Sequence, residues 1–175
     1  MDFPTLIQQR HSIRAFQPRE VEEEKLEGIL QAARRAPSAG NLQAYKVAVA
    51  RSPRLRRMLA RAALDQDFLA QAPIVLVFLA DPLASAVKYG SRGETLYAVQ
   101  DATIACAYAQ LAACAQGLGS CWVGAFHEDE VRAALGLGQD LRPIGLLPVG
   151  YAAERPEITP RRPLSEMVLE IDAGR

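Results

Sequence analysis

What this chain lacks narrows its chemistry before anything present in it is read. Its two histidines, His11 and His127, stand far apart with no HExxH pair, so a metal centre has no ligand set. Its three cysteines, Cys106, Cys114 and Cys121, are odd in number and widely spaced. They form neither a disulfide framework nor a CxxC pair, and free thiols fit a cytoplasmic location. No GxGxxG follows a strand pattern, because Gly117-Leu118-Gly119 ends a helix instead of opening one, and no GxxxxGK[ST] occurs. Rossmann and P-loop sites are therefore disfavoured. There is no excess of either charge: 20 basic residues balance 20 acidic ones, so no global field draws the chain to nucleic acid or an anionic membrane. The N-terminal MDFPTLIQQR has no basic region followed by an apolar one, and no signal peptide is expected.

Charge is also missing locally, from residue 102 to residue 126. That run is long enough to span a bilayer. It is nevertheless rich in alanine, holds Gln110 and Gln116, breaks at Gly117–Gly119, and is flanked by acidic rather than basic residues. A buried helix followed by a strand is the better reading.

With 175 residues, half of them hydrophobic, the chain suits a single domain with a real core. A short helix is expected over residues 2–9, capped by Asp2, and a second over 22–35, where Leu26, Ile29, Leu30 and Ala33 recur at helical spacing. Strands are expected at 45–50, at 74–79 between Pro73 and Pro82, at 122–126 and at 144–151. Ser52-Pro53 opens another helix, a small-residue helix runs from about 95 to 116, and a further helix covers 128–135. Residues 81–93 read as a long loop. The tail after Ala152 is interrupted by Pro156, Pro160 and Pro163 and cannot make a core of its own. Helices mixed with irregularly spaced strands indicate an α+β layer fold.

Three segments carry candidate chemistry. Arg10-His11-Ser12-Ile13-Arg14 puts two guanidiniums, an imidazole and a hydroxyl within a few residues, a set suited to clamping phosphate. A solvated basic face accounts for it equally well in isolation. Pro37-Ser38-Ala39-Gly40-Asn41-Leu42-Gln43 joins a flexible turn to side chains that donate and accept, which suits the polar edge of a heterocycle; as a lone motif it is a helix stop. Gly117-Leu118-Gly119-Ser120-Cys121-Trp122-Val123-Gly124 allows close backbone approach, and is equally a helix cap leading into a strand. Arg161-Arg162 in the tail adds guanidiniums that by themselves read as a solvated pair. Cys121 and His127 would share a face if one strand carried both, the arrangement a cysteine hydrolase needs, but the apolar surroundings argue for an inert thiol.

Taken together, these segments resemble the FMN-dependent nitroreductase family, in particular its short single-domain members, along nearly the whole chain. The resemblance rests on Arg10-His11-Ser12-Ile13-Arg14-Ala15-Phe16, on Ala36 through Gln43, on the central helix from Arg92-Gly93 onward, on Gly117 through Phe126, and on Pro148-Val149-Gly150-Tyr151-Ala152-Ala153-Glu154-Arg155-Pro156. It implies one domain over 1–175, a mostly antiparallel sheet flanked by helices, and an intertwined homodimer with FMN in a groove at the subunit interface. Residues 152–175 would wrap the partner. By similarity, Arg10, Ser12 and Arg161, with Arg162 beside it, hold the FMN phosphate; His11 and Arg14 lie near the ribityl chain or ring. Pro37, Ser38 and Asn41 line the flavin, and the Gly124 amide faces N5.

The implied activity is ping-pong transfer of hydride from NAD(P)H, through FMN, to a nitroaromatic or quinone-like acceptor. Because the flavin carries the chemistry, no protein catalytic residue is required. Alternatives on the same fold are an FMN-dependent dehydrogenase or oxidase and a non-catalytic flavin-binding dimer. The chain departs from the family at Ala44-Tyr45, where Pro-Trp is common, and at Ala152, where proline is usual. Lys46 and Lys88 are candidates for the flavin N1/O2 edge, and Tyr45, Tyr89 and Phe126 for the acceptor pocket.

Overall fold

Asp2 starts the first helix as its spacing predicts: its carboxylate accepts the Thr5 N–H at 2.9 Å, and α1 runs Phe3–Gln9. The computed structural model describes residues 1–171. Residues 172–175, the end of the expected tail, lie outside the described residues. α2 (Glu23–Arg34) is followed by a 3-10 turn at Ala39–Asn41 and by β1 (Tyr45–Ala50). Ser52 caps α3 (Pro53–Ala62), accepting from Leu55 N at 3.2 Å, with proline in the first turn where its missing N–H costs nothing. Then come α4 (Phe68–Gln71), β2 (Ile74–Ala80), α5 (Pro82–Arg92), a π-helical turn at Gly93–Tyr97, α6 (Ala98–Ala115), β3 (Gly119–Ser120), α7 (Glu128–Leu135) and β4 (Arg142–Gly150).

The four strands form one sheet in the order β1-β2-β4-β3, antiparallel at every strand pair. β2 is buried along its whole length, which explains why its sequence is continuously apolar rather than alternating. Its side chains divide between the two faces. Ile74, Leu76 and Phe78 join a cluster with α2 and α6, while Val75, Val77 and Leu79 join one with α3 and α7. Small residues on α6 (Ala102, Ala105, Ala109 and Ala113) are fully buried and let the helix lie close to the sheet.

Two segments differ from the sequence reading. Residues 81–93 are not a loop. Asp81 caps α5 through the Ala84 N–H at 3.0 Å, Pro82 sits at the start of the helix, and Gly90 absorbs a kink at φ +54°. Pro82 occupies the first turn behind the Asp81 cap, and Gly90 serves the kink. Residues 122–126 are not a strand either: β3 pairs only Gly119 and Ser120, and beyond it Val123 alone bridges to Leu146. The Trp122 ring takes the space beside Gly145, where a Cβ would come within 2.6 Å of it, so the backbone turns away from the ladder. The other boundaries agree within a few residues, with α6 starting at Ala98 after the π turn and β4 starting at Arg142.

Among the described residues no helix is long and apolar enough to cross a membrane, and no cluster of three or more His, Cys, Asp or Glu could hold a metal ion.

Candidate anion and ring-binding site

The basic segment after α1 is stitched into the sheet edge. Ile13 N donates to Ser120 O at 3.0 Å, Ser12 makes a parallel bridge to Ser120, and Phe16 bridges to Ala152. On the far side Gln17 N donates to Tyr151 O and Ala153 N to Ala15 O. The Ile13 side chain fills the space over Gly119, where a Cβ would lie 2.8 Å from it, so only glycine permits this approach. The Glu154 carboxylate accepts both the Arg14 and Ala15 N–H groups. Tyr151 is itself anchored: its hydroxyl donates to Glu22, and that bond, with the Glu22 backbone N–H and Arg19, holds the Glu22 carboxyl down at about 2.

These constraints give the side chains a fixed cavity of about 330 Å³. Arg10, His11, Ser12 and Arg14 line one wall; Thr159 and Arg161 of the tail line the other, with Pro156 and Glu157. Arg162 is not among its lining residues. None of the three guanidiniums forms an ion pair with a carboxylate among the described residues. Three guanidiniums without a carboxylate partner outnumber the single acidic lining residue, Glu157, and leave the pocket with a positive excess that suits an anion. Cys121 adjoins it, but burial pushes its thiol up, against the weaker opposing pull of Arg14, Ser12 and Arg10. His127 is exposed and no strand joins it to Cys121, so the nucleophile arrangement is not built.

The second cluster lies elsewhere. Pro37, Ser38 and Ala39 line a more apolar cavity of about 550 Å³ with Tyr97, Asp101 and Ile104 of the π turn and α6. The turn is left-handed at Gly40, Asn41 and Gln43, and Ser38 Oγ closes it by accepting the Gln43 N–H at 3.0 Å. Lys88 and Tyr89 of α5 lie over Gly40, whose missing Cβ leaves the room they occupy. Lys46, by contrast, faces Asp81 at 3.8 Å, the Tyr45 hydroxyl donates to Ala33 O, and Phe126 packs into the core.

The two cavities share no lining residue. Cys114, beside Arg10, and Asp101, beside Ala39, stand 13 residues apart on α6, which is roughly 20 Å along the axis. Gly124 belongs to neither cavity; it is exposed, with the Trp122 indole against it. One chain thus brings Arg10, His11, Ser12, Arg14 and Arg161 together, and Pro37 and Ser38 together with Asn41 next to them, but not the two groups to each other.

Sequence reasoning missed Glu154 as the clamp on the Arg14 backbone, and Asp101 as the partner of the turn. Asp101 did leave a signal, being the sole charged residue of α6.

A sequence model of the Nitroreductase family matches residues 7–66 and 61–151. The chain is 34% identical to a Thermus thermophilus protein named "NADH dehydrogenase", over 97% of this chain and 96% of that protein. It is 30% identical to a Bacillus subtilis "FMN reductase [NAD(P)H]", over 87% of this chain and 66% of that protein. Among solved structures, a nitroreductase family protein from Clostridium novyi superposes with a TM-score of 0.80 at 30% identity, covering 88% of this chain and 87% of the other.

Proposed function

This chain belongs to the nitroreductase family, and from that premise we propose that it is an FMN-dependent NAD(P)H oxidoreductase whose cofactor lies between two copies of the chain. The observation that carries the proposal is the separation of the two half-sites. A basic pocket sized for a phosphate and a polar chain, and an apolar pocket suited to a planar ring, stand at opposite ends of α6. One molecule of FMN then draws its phosphate ligands from one copy and the Pro37–Asn41 turn from the other. The exposed apolar side chains of the tail, Ile158, Leu164, Leu169 and Ile171, together with Phe3 and Ile7 of α1, fit burial against that second copy.

The donor set suits FMN. Arg10, Arg14 and Arg161 neutralise the phosphate with forked N–H donors, and the Ser12 and Thr159 hydroxyls complete its shell. Glu154 and Ser120 fix the backbone beneath those donors, so little ordering remains to be done on binding. Bound FMN would supply the hydride chemistry, taking hydride from NAD(P)H and passing it to an electron-poor acceptor in a second half-reaction. Gly124 is exposed and lacks a side chain of its own, so a ring nitrogen would reach its N–H alongside the Trp122 indole. Ser38 in the lining, and Asn41 in the adjoining turn, would offer hydrogen bonds at the ring's polar edge, and Tyr97 and Ile104 would exclude water from its face. Nitroaromatics and quinones are planar and electron-poor, which suits them to the same apolar wall as acceptors.

The visible spectrum tests this reading. The purified protein is expected to be yellow, or to become so with added FMN. NADH or NADPH should bleach it anaerobically, and a quinone or nitroarene should restore the colour. A protein that stays colourless with excess FMN contradicts the proposal. A yellow protein that neither nucleotide bleaches leaves only flavin binding.

A further inference from the structure

Asp101 is almost fully buried, at 2% exposure, in a stretch of helix whose buried neighbours are alanines. One carboxylate oxygen, Oδ1, accepts the Ala39 N–H at 2.9 Å; the other, Oδ2, is buried with no partner among the described residues. No lysine or arginine pairs with it among the described residues. Burying a carboxylate on one hydrogen bond costs stability that an apolar residue would not. Its effect reaches β1, where burial and then the Asp101 charge raise the Tyr45 hydroxyl above its ordinary value.

The same bond has a specific task. Residues 37–42 take left-handed backbone at Gly40 and Asn41, a conformation that asparagine tolerates but does not prefer. Their other hydrogen bonds among the described residues stay within residues 38–43. Among the described residues, the Ala39–Asp101 bond is therefore the one hydrogen bond from residues 37–42 to another element, and it is charge-assisted.

We infer that Asp101 is a positioning residue: by holding the Ala39 amide it fixes the Ser38 and Asn41 side chains in the geometry that meets the cofactor ring. The inference rests on the reading of the turn as a flavin contact. It also accounts for a costly buried charge, since a residue kept for function can oppose stability.

Four variants test it, with FMN affinity from fluorescence quenching, hydrogen exchange of the Ala39 amide and the thermal midpoint as readouts. Asp101→Leu removes the acceptor. Ala39→Pro removes the donor from the other side, at a helical position that follows an extended Ser38 and so accepts proline. Both are expected to weaken FMN by about tenfold, the scale of one charge-assisted bond. In Asp101→Leu the Ala39 amide should also exchange at least about tenfold faster, with no fall in midpoint. Asp101→Asn keeps an acceptor and should stay within about threefold of the parent in both affinity and exchange.

Equal losses of affinity in Asp101→Asn and Asp101→Leu would overturn the inference, because the charge itself would then be what matters. So would a lowered midpoint in Asp101→Leu with FMN affinity intact, the mark of a purely structural residue. Asn41→Ala separates the premise from the inference. If it weakens FMN while Asp101→Leu and Ala39→Pro do not, positioning by Asp101 is wrong and the turn still meets the flavin. If none of these variants changes affinity, the reading of the turn fails and the inference falls with it.

Discussion

Arg10→Ala is expected to weaken FMN binding by about 1–3 kcal/mol, or roughly 5- to 150-fold in dissociation constant. Arg10 stands at the C-cap of α1, with its backbone N–H on Leu6 O, and its half-buried side chain lines the basic pocket and the cavity next to it. Its guanidinium has no carboxylate partner among the described residues, so its removal breaks no ion pair and the fold should be little affected. What is lost is the fork toward the ligand. Arg10→Lys keeps the charge without the fork and should fall between the parent and the alanine variant. Arg162→Ala should matter less, because Arg162 does not line the pocket. Fluorescence titration with FMN reads all three variants, and unchanged affinity in Arg10→Ala contradicts the phosphate clamp.

Phe78→Ala should cost about 3–5 kcal/mol of stability, the range for truncating a large buried aromatic. Phe78 is fully buried in β2, opposite Val47 of β1 and Gly145 of β4, and packs into the cluster shared with α2 and α6. Collapse into the vacated space is obstructed, since β2 is held by a strand on either side and the Trp122 ring already occupies the room beside Gly145. Urea unfolding at one fixed protein concentration measures the effect, the concentration being fixed because association adds to apparent stability. A loss below about 1 kcal/mol would mean that the cluster repacks.

The sequence made the local chemistry of the candidate site more legible than the contacts that hold it in place. Arg10 through Arg14 and Pro37 through Asn41 are local patterns whose residue types state their own chemistry, and the structure gathers each into a cavity wall or a turn. Helix caps at Asp2 and Ser52 were equally legible, because a cap is read within four residues. Two kinds of feature were not. Residues 81–93 hold proline and glycine in roles that only the neighbouring structure decides, and residues 122–126 look like a strand until the Trp122 ring is placed against Gly145. Long-range pairings were also hidden. Glu154 reaches Arg14 across 140 positions and Asp101 reaches Ala39 across 62, and no local pattern records either.

We propose that one FMN site takes its phosphate ligands from one chain and its ring contacts from another. Co-expression of Arg10→Ala and Asn41→Ala chains under different affinity tags, followed by isolation of the hybrid, tests it directly. If the site is shared, the hybrid carries one intact site and one doubly defective site. It should then bind about half the parent's FMN at parent affinity, while neither variant alone does so. A hybrid with no site of parent affinity, and two sites weakened like those of the separate variants, would show that each chain holds its cofactor alone.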